Sequence, residues 1–370
     1  MKHAARHAAA AMVAMALLAG LAAPDALNAA SIKDFGEVRV DGPFTHKNLS
    51  IYVLFVRTEV GKRPDYITLT EGLRNGWVVI SEAHDARVGR LLVTNKSDRR
   101  LFLQVGQVLG GGKQDRTLQT SFVVPANTRD VPIPSFCVEQ TRWSGPKGFD
   151  SGGVIVPGRV RAAIQAGSQD RVWSEVRGYK RSAQSAIASR SGGPQAPSRT
   201  SSVHEELSDA RFKRIYNEYQ AALSGTIHRY THPVGFVYAV NGQISTVDVY
   251  QASALFKKLW PELLRGAAAE AAPQQSRARH SPPDLRTVAN FIAAGWEGSV
   301  RTETLGVGNV YMRITGTNSR TGRLSFNSEV VHAQIVRKAT GPILIPPRPI
   351  PIPRPPRPPR PIPMPQPPRR

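Results

Sequence analysis

Cysteine occurs once in 370 residues, at Cys137, so no disulfide within the chain can brace the fold. A chain of this length buries enough apolar surface to fold without one. Long hydrophobic runs are equally scarce: after Ala8–Ala23 none approaches the roughly 20 residues of a membrane helix. Beyond that first segment, an integral helical membrane protein is excluded. Acid is also short, with 27 Asp and Glu against 49 Lys and Arg and a net charge of +22. The surplus is unevenly placed. Residues 342–370 carry six arginines and no acid, and residues 177–202 carry five cations and no acid, together half of it. Charge held in segments with little core-forming content argues against a nucleic-acid surface on the folded body, so nucleic acid is not an expected partner. The chain also lacks a G-x-S-x-G elbow, which excludes the usual α/β serine hydrolase. His228 and His232 stand four apart, but Pro233 follows and no glutamate succeeds His228, so a metallohydrolase pattern is missing. No metal and no cofactor is expected.

Several segments have clear characters. Lys2 and Arg6 precede the apolar run, and the small residues Ala26–Ser31 offer cleavage after Ala29 or Ala30. That layout is a secretory signal over residues 1–30, and it implies an exported chain, periplasmic or extracellular. No cysteine follows the run, so a lipid anchor is excluded. Residues 35–338 read as one domain of α+β class. Residues 35–145 form an antiparallel, sandwich-like β half: runs such as Asn48–Arg57, Arg100–Val105 and Val131–Val138 alternate with turn signals such as Asn75-Gly76 and Pro125-Ala126-Asn127. Gln169–Val176 predicts a short helix, and residues 177–202, rich in Ser, Ala and Gly, predict a flexible linker. Residues 203–338 form an α/β half. It has helices over Glu205–Leu223 and Val249–Arg265, the second kinked at Pro261, and a buried strand over Val234–Val240. Ala267–Arg279 reads as loose, Ser281 as a helix N-cap, and Val310–Thr315, Arg323–Asn327 and Glu329–Arg337 as closing strands. Residues 341–370 repeat Pro and Arg, a disordered tail of polyproline character that can attract anionic envelope polymer.

Chemistry concentrates between Gly106 and Trp143. Gly110, Gly111 and Gly112 are followed by Lys113, Gln114, Asp115 and Arg116, and some twenty residues later come Cys137, Glu139, Gln140, Arg142 and Trp143. A phosphate loop is excluded by spacing, because Gln107 stands where the first glycine belongs and Gln114 where Ser or Thr would hold magnesium. Consecutive glycines can still converge their amides on an anion, with Lys113 and Arg116 beside them. Glu139, Gln140 and Arg142 can bind a ligand or close a buried ion pair that holds two loops together, and Trp143 can stack on a base or sugar or cap the core. A bend in the sheet with solvated charges accounts for the glycines equally well. Cys137 shares one strand face with Val131, Ile133 and Ser135, as a small buried residue or as a nucleophile or metal ligand near Glu139 and a distant histidine.

On GGKQDR, VPANTRDVPIPSFCVE and CVEQTRW the chain resembles the ARG and rhodanese-phosphatase-superfamily-associated protein domain family. The likeness extends from about Phe35 through NLSIYVLFVR, VWSEV, VGFVYAVNGQISTVDVY and FKKLWPELLRG to about His332. The family name records an association with ADP-ribosylglycohydrolases and rhodanese-type phosphatases. The resemblance thereby implies a nucleotide-like or ADP-ribose-like ligand. Where family members carry acid near the first glycines, this chain has Gln104 and Gln107, which argues against acid–base work there. The expectation is thus an exported protein that binds a small anionic ligand at the glycine-to-tryptophan constellation. Two alternatives stand beside it: a hydrolase or transferase using Cys137 and Glu139, and an envelope interaction protein acting through its tail.

Overall fold

The computed structural model describes residues 29–32, 34–59, 61, 63–83, 89–140, 148–191, 202–275 and 278–339. Most of the expected signal segment, residues 192–201 of the expected linker, Arg142, Trp143 and the Pro/Arg tail lie outside the described residues.

One sheet organises the chain. In spatial order it runs β1 (Ala29–Ser31), β2 (Glu37–His46), β3 (Leu49–Phe55), β13 (Pro233–Val240), β14 (Gln243–Tyr250), β18 (Glu329–Arg337), β17 (Ser319–Phe326), β16 (Asn309–Thr315) and β15 (Ser299–Gly306). Every neighbouring pair is antiparallel. β13 is buried throughout because its sequence, PVGFVYAV, is apolar on both faces. Phe236, Tyr238 and Val240 enter the main core together with Leu49, Ile51 and Val53 of β3. Val237 and Ala239 enter a second core with Tyr52 and Leu54, covered by Val288 and Ile292 of helix α7 (Leu285–Ala294). The expected division into two halves is therefore crossed: β2 and β3 come from the first half and pair into the sheet of the second.

Two smaller sheets complete the β-rich part. A six-stranded one runs β12 (Phe149–Ile155), β8 (Gln107–Gly111), β9 (Arg116–Leu118), β11 (Thr128–Cys137), β6 (Arg90–Asn95) and β5 (Val78–Glu82). A three-stranded one runs β10 (Phe122–Val124), β7 (Arg100–Leu103) and β4 (Tyr66–Thr68), with β4 and β7 parallel. Leu101, Leu103, Phe122 and Val124 of the small sheet share a core with Ile80, Leu91, Val93 and Ile133 of the larger one, the sandwich-like arrangement.

The helices are α1 (Leu69–Arg74), α2 (Gly158–Gln165), α3 (Gln169–Ser191), α4 (Val203–Ser208), α5 (Ala210–Leu223), α6 (Ser253–Ala271) and α7. Three of them correct the sequence reading. Residues 177–191 belong to α3 and are not linker. Val172, Val176, Ala183 and Ile187 are buried along one helical stripe, and Lys180 falls within it, so Ser and Ala content concealed a packed seam. Helix α6 passes through Pro261 and continues to Ala271, with Ala267, Ala268, Ala269 and Ala271 buried instead of loose. Small side chains there let the helix approach β12, and Gly266 has no room for a Cβ, which would sit 2.6 Å from the Ile155 carbonyl oxygen. Helix α7 is capped by Asp284, not Ser281: its carboxylate accepts the Thr287 amide at 2.7 Å. Pro282 and Pro283 delay the start, since a residue before proline is steered away from helical angles.

Candidate functional site

The register of β9 against β11 sets Arg116 directly opposite Cys137, which joins the two ends of the polar constellation. The glycines are required by space. A Cβ on Gly111 would lie 2.5 Å from the Gly148 carbonyl oxygen, and one on Gly112 would lie 2.4 Å from the Phe149 ring. Both adopt positive φ, which a side chain would also oppose. The turn's amides do meet anions, at Gly111 and Lys113, but the anions belong to the protein. Gly111 donates to Asp115 Oδ1 at 2.9 Å and Lys113 donates to Glu82 Oε1 at 3.0 Å, while Gly112 donates to the Gly148 carbonyl at 3.0 Å.

The side chains close most of the remaining bonds, with Arg116 Nε buried and left without a hydrogen-bond partner among the described residues. Asp115 N–H donates to Glu139 Oε2 at 3.1 Å, and Gln114 donates to the Glu139 carbonyl at 3.0 Å. Arg116 donates to Gln114 Oε1 at 3.2 Å and to Cys137 Sγ, and lies 3.6 Å from Glu82. The thiol donates in turn to Gln114 Oε1 at 3.1 Å. Gln169, in the first turn of α3, exchanges bonds of 2.9 and 2.8 Å with the Cys137 backbone, and Arg177 holds Gln140 at 2.8 Å. Ser202 caps α4 through the Glu205 amide and donates to Asp115. Gln114, Asp115, Arg116, Cys137 and Glu139 are all buried, and Lys113 alone of the tetrad is exposed. Burial pushes the Cys137 thiol up, with Arg116 pulling against it, so the sulfur is held protonated. The arrangement ties the β8–β9 turn to β11, α3 and α4. A nucleophile needs access and a base; the Cys137 sulfur is buried, and among the described residues its side-chain hydrogen-bond partners are Arg116 and Gln114.

Three features had no clear sequence signal. His204 of α4 packs its ring over Gly110 and Gly152, where added Cβ atoms would come within 2.9 and 2.8 Å of it. Lys180 donates to the Ser202 carbonyl at 3.2 Å; burial lowers its pKa against the pull of Glu206. The third is a buried network on the central sheet. Asp248 accepts from Arg161 at 2.9 and 3.1 Å and from Gln104, Gln334 and His332 at 3.2 Å each. His332 Nδ1 faces Ser121 Oγ at 3.0 Å, which itself accepts the Val105 amide at 3.0 Å. Serine, histidine and aspartate therefore stand in a chain, yet Ser121, His332 and Asp248 are at most 1% exposed and Arg161 neutralises the acid. The chain acts as a polar spine of the core. Gln104 and Gln107 belong to this interior: Gln107 anchors Glu262 at 2.9 Å, and Tyr250 donates to Gln104 at 2.9 Å.

Open space with unmatched charge lies elsewhere, along α2. Beside its C-terminal half is a cavity of about 140 Å³ lined by Arg159, Arg171, Glu175, Arg320 and Lys338. A second cavity, of about 170 Å³, shares Arg159 and Lys338 and reaches Ser245, Glu270 and Arg337 at the start of the helix. Arg159 is paired with Glu175 at 3.2 Å. Glu270 is engaged by the Gly158 amide and Tyr238 hydroxyl, both at 2.6 Å, and by Ser245 at 3.0 Å. Among the described residues Arg171, Arg320 and Lys338 have no carboxylate within ion-pair distance. Burial and then the nearby Arg171 charge lower the Arg320 pKa, as expected of a cation crowded by another cation. No helix among the described residues is long and apolar enough to cross a membrane, and these residues contain no cluster of metal-ligating side chains.

The sequence model of the ARG and Rhodanese-Phosphatase-superfamily-associated Protein domain matches residues 37–336, from the first residue of β2 to the end of β18 but one. The chain belongs to that family. Neither a curated protein nor a solved structure matches it.

Proposed function

We propose that this family member is an exported binding protein for a small, multiply charged anion of the phosphate-ester class, held in the groove between α2 and α3. The observation that carries the reading is the set of three cations, Arg171, Arg320 and Lys338, around one cavity with no carboxylate of their own. Like charges brought together at a partly desolvated site raise the free energy of the empty protein, and an anion removes that cost. Arginine side chains also suit phosphate oxygens by their paired donors. No carboxylate among the described residues supplies the counter-charge to these three cations, and a bound anion would supply it. Each cavity is smaller than the roughly 300–1,000 Å³ of a drug-sized site. One therefore suits a charged group, and the pair suits a compact molecule with a charged end and a polar body. An ADP-ribose-like compound belongs to this class. The glycine turn contributes Lys113 at most, since its amides already serve Asp115, Glu82 and Gly148.

Calorimetry with inorganic pyrophosphate and with ADP-ribose tests the site. The double variant Arg171→Ala, Arg320→Ala is expected to weaken pyrophosphate binding by about tenfold or more, corresponding to about 1.4 kcal/mol. Lys113→Ala is expected to leave it unchanged. The reverse pattern would return the ligand to the glycine turn. Export rests on the layout of residues 1–30, and the basic tail adds a salt-sensitive attraction to anionic envelope polymer. Sequencing the N-terminus of chain recovered from periplasm or medium is expected to start at residue 30 or 31.

A further inference from the structure

The large sheet ends on an unusual strand. β15 reads SVRTETLG and is exposed at every position but Leu305, with Val300 at 59%. It is the terminal strand of the sheet, so among the described residues the backbone donors and acceptors pointing away from β16 have no strand to meet. Across the β15–β16 ladder Arg301 stands directly opposite Arg313, a like-charge pairing that weakens a ladder. Arg313 turns to Gln165 Oε1 at 3.1 Å and stacks on Tyr311, and neither it nor Arg301 or Glu303 has an ion-pair partner among the described residues.

The sequence of this edge is self-complementary. If a second β15 lies antiparallel about Thr302, residue 301 of each strand faces residue 303 of the other. Arg301 then meets Glu303 twice, Val300 faces Thr304 twice, and Thr302 faces its own copy. The carboxylate missing beside the Arg301–Arg313 pair arrives from the second chain. We propose that the protein forms a two-fold dimer by pairing β15 with β15, which makes one continuous sheet through both copies. A pairing of this kind is isologous and closes on itself, so it yields a dimer and not a filament. Edge pairing supplies main-chain hydrogen bonds, and the reciprocal charges fix the register.

Sedimentation equilibrium on the full mature chain tests this by charge reversal. Arg301→Glu and Glu303→Arg each turn two attractions into two repulsions, and each is expected to weaken the dimer by about tenfold or more. The double variant R301E/E303R restores the reciprocal pairs with reversed polarity, and dimer strength returns with it. Circular dichroism of each variant checks that the exposed substitutions leave the fold intact. A monomeric wild type overturns the proposal, as does a dimer indifferent to either single reversal. Failure of the double variant to recover removes the register about Thr302 and the proposal with it. Binding of pyrophosphate in the α2–α3 groove is measured separately and does not bear on the outcome.

Discussion

The glycine-to-cysteine constellation and the α2–α3 groove are both dense in charge, and they differ in whether that charge is answered. In the first, Asp115, Arg116, Glu139 and Gln114 are buried and hydrogen-bonded to one another or to the adjoining backbone. In the second, Arg171, Arg320 and Lys338 line a cavity without a carboxylate partner among the described residues. A polar cluster whose charges are answered from within, even with Arg116 Nε left unpaired, holds a fold together; one left unanswered at the surface leaves work for a ligand. Residue density in a sequence cannot separate these cases, because it counts charges without showing what they face.

The largest expected effect sets the two regions furthest apart. Arg116→Ala removes the cation between Glu82, Gln114 and Cys137 and leaves buried polar groups unpaired, which costs about 3–5 kcal/mol. Urea denaturation should show this as a lowered midpoint. A midpoint that hardly moves would mean that the constellation is not a fastening and would reopen it as a ligand site.

Next comes a pH effect confined to the interior. Burial holds the His332 imidazole below its ordinary pKa, with Asp248 pulling upward. Below about pH 6.5 the unfolded chain takes up a proton that the folded chain refuses, so stability falls as pH drops through that value. Burial works against the Asp248 charge, but Arg161 and His332 hold its carboxyl below the usual range. Its contribution is present above about pH 3.9 and is lost as pH falls through the folded value. Unfolding free energy should decline from about pH 7 to pH 5, and His332→Asn should flatten that slope. An unchanged slope would place the titration elsewhere.

A smaller effect, read chemically, concerns the thiol. Iodoacetamide should leave Cys137 unmodified in native protein and alkylate it fully in urea, because the sulfur is buried and protonated. Rapid native alkylation would restore Cys137 as a nucleophile.

Much of this was legible beforehand, and the failures have physical causes. The α+β class and the central strand over Val234–Val240 follow from alternation and apolar runs, and so does the inward face of Cys137. The constellation was visible as residues but not as bonds, because its pairing depends on the register of β9 against β11. The groove left no motif: Arg171, Arg320 and Lys338 come from α3, β17 and the end of the sheet, and only the tertiary fold assembles them. The seam of α3 was masked by Ser and Ala, and its buried Lys180 broke the apolar pattern. β15 gave no alternation to read, since both of its faces are exposed.

The smallest expected effect on stability is the most diagnostic of the comparison. Arg171→Ala and Arg320→Ala remove cations that repel each other and bond to no acid among the described residues, so little native structure is lost. Surface substitutions of this kind fall within about 0.5 kcal/mol, and relief of repulsion gives the change a stabilising sign. The same two substitutions should reduce the rise in melting temperature that pyrophosphate gives the wild type, since ligand stabilisation grows with affinity. Stability kept while binding is weakened marks a surface whose charges serve something outside the chain. Destabilisation comparable to that of Arg116→Ala would mean instead that the groove, like the glycine turn, is part of the fabric.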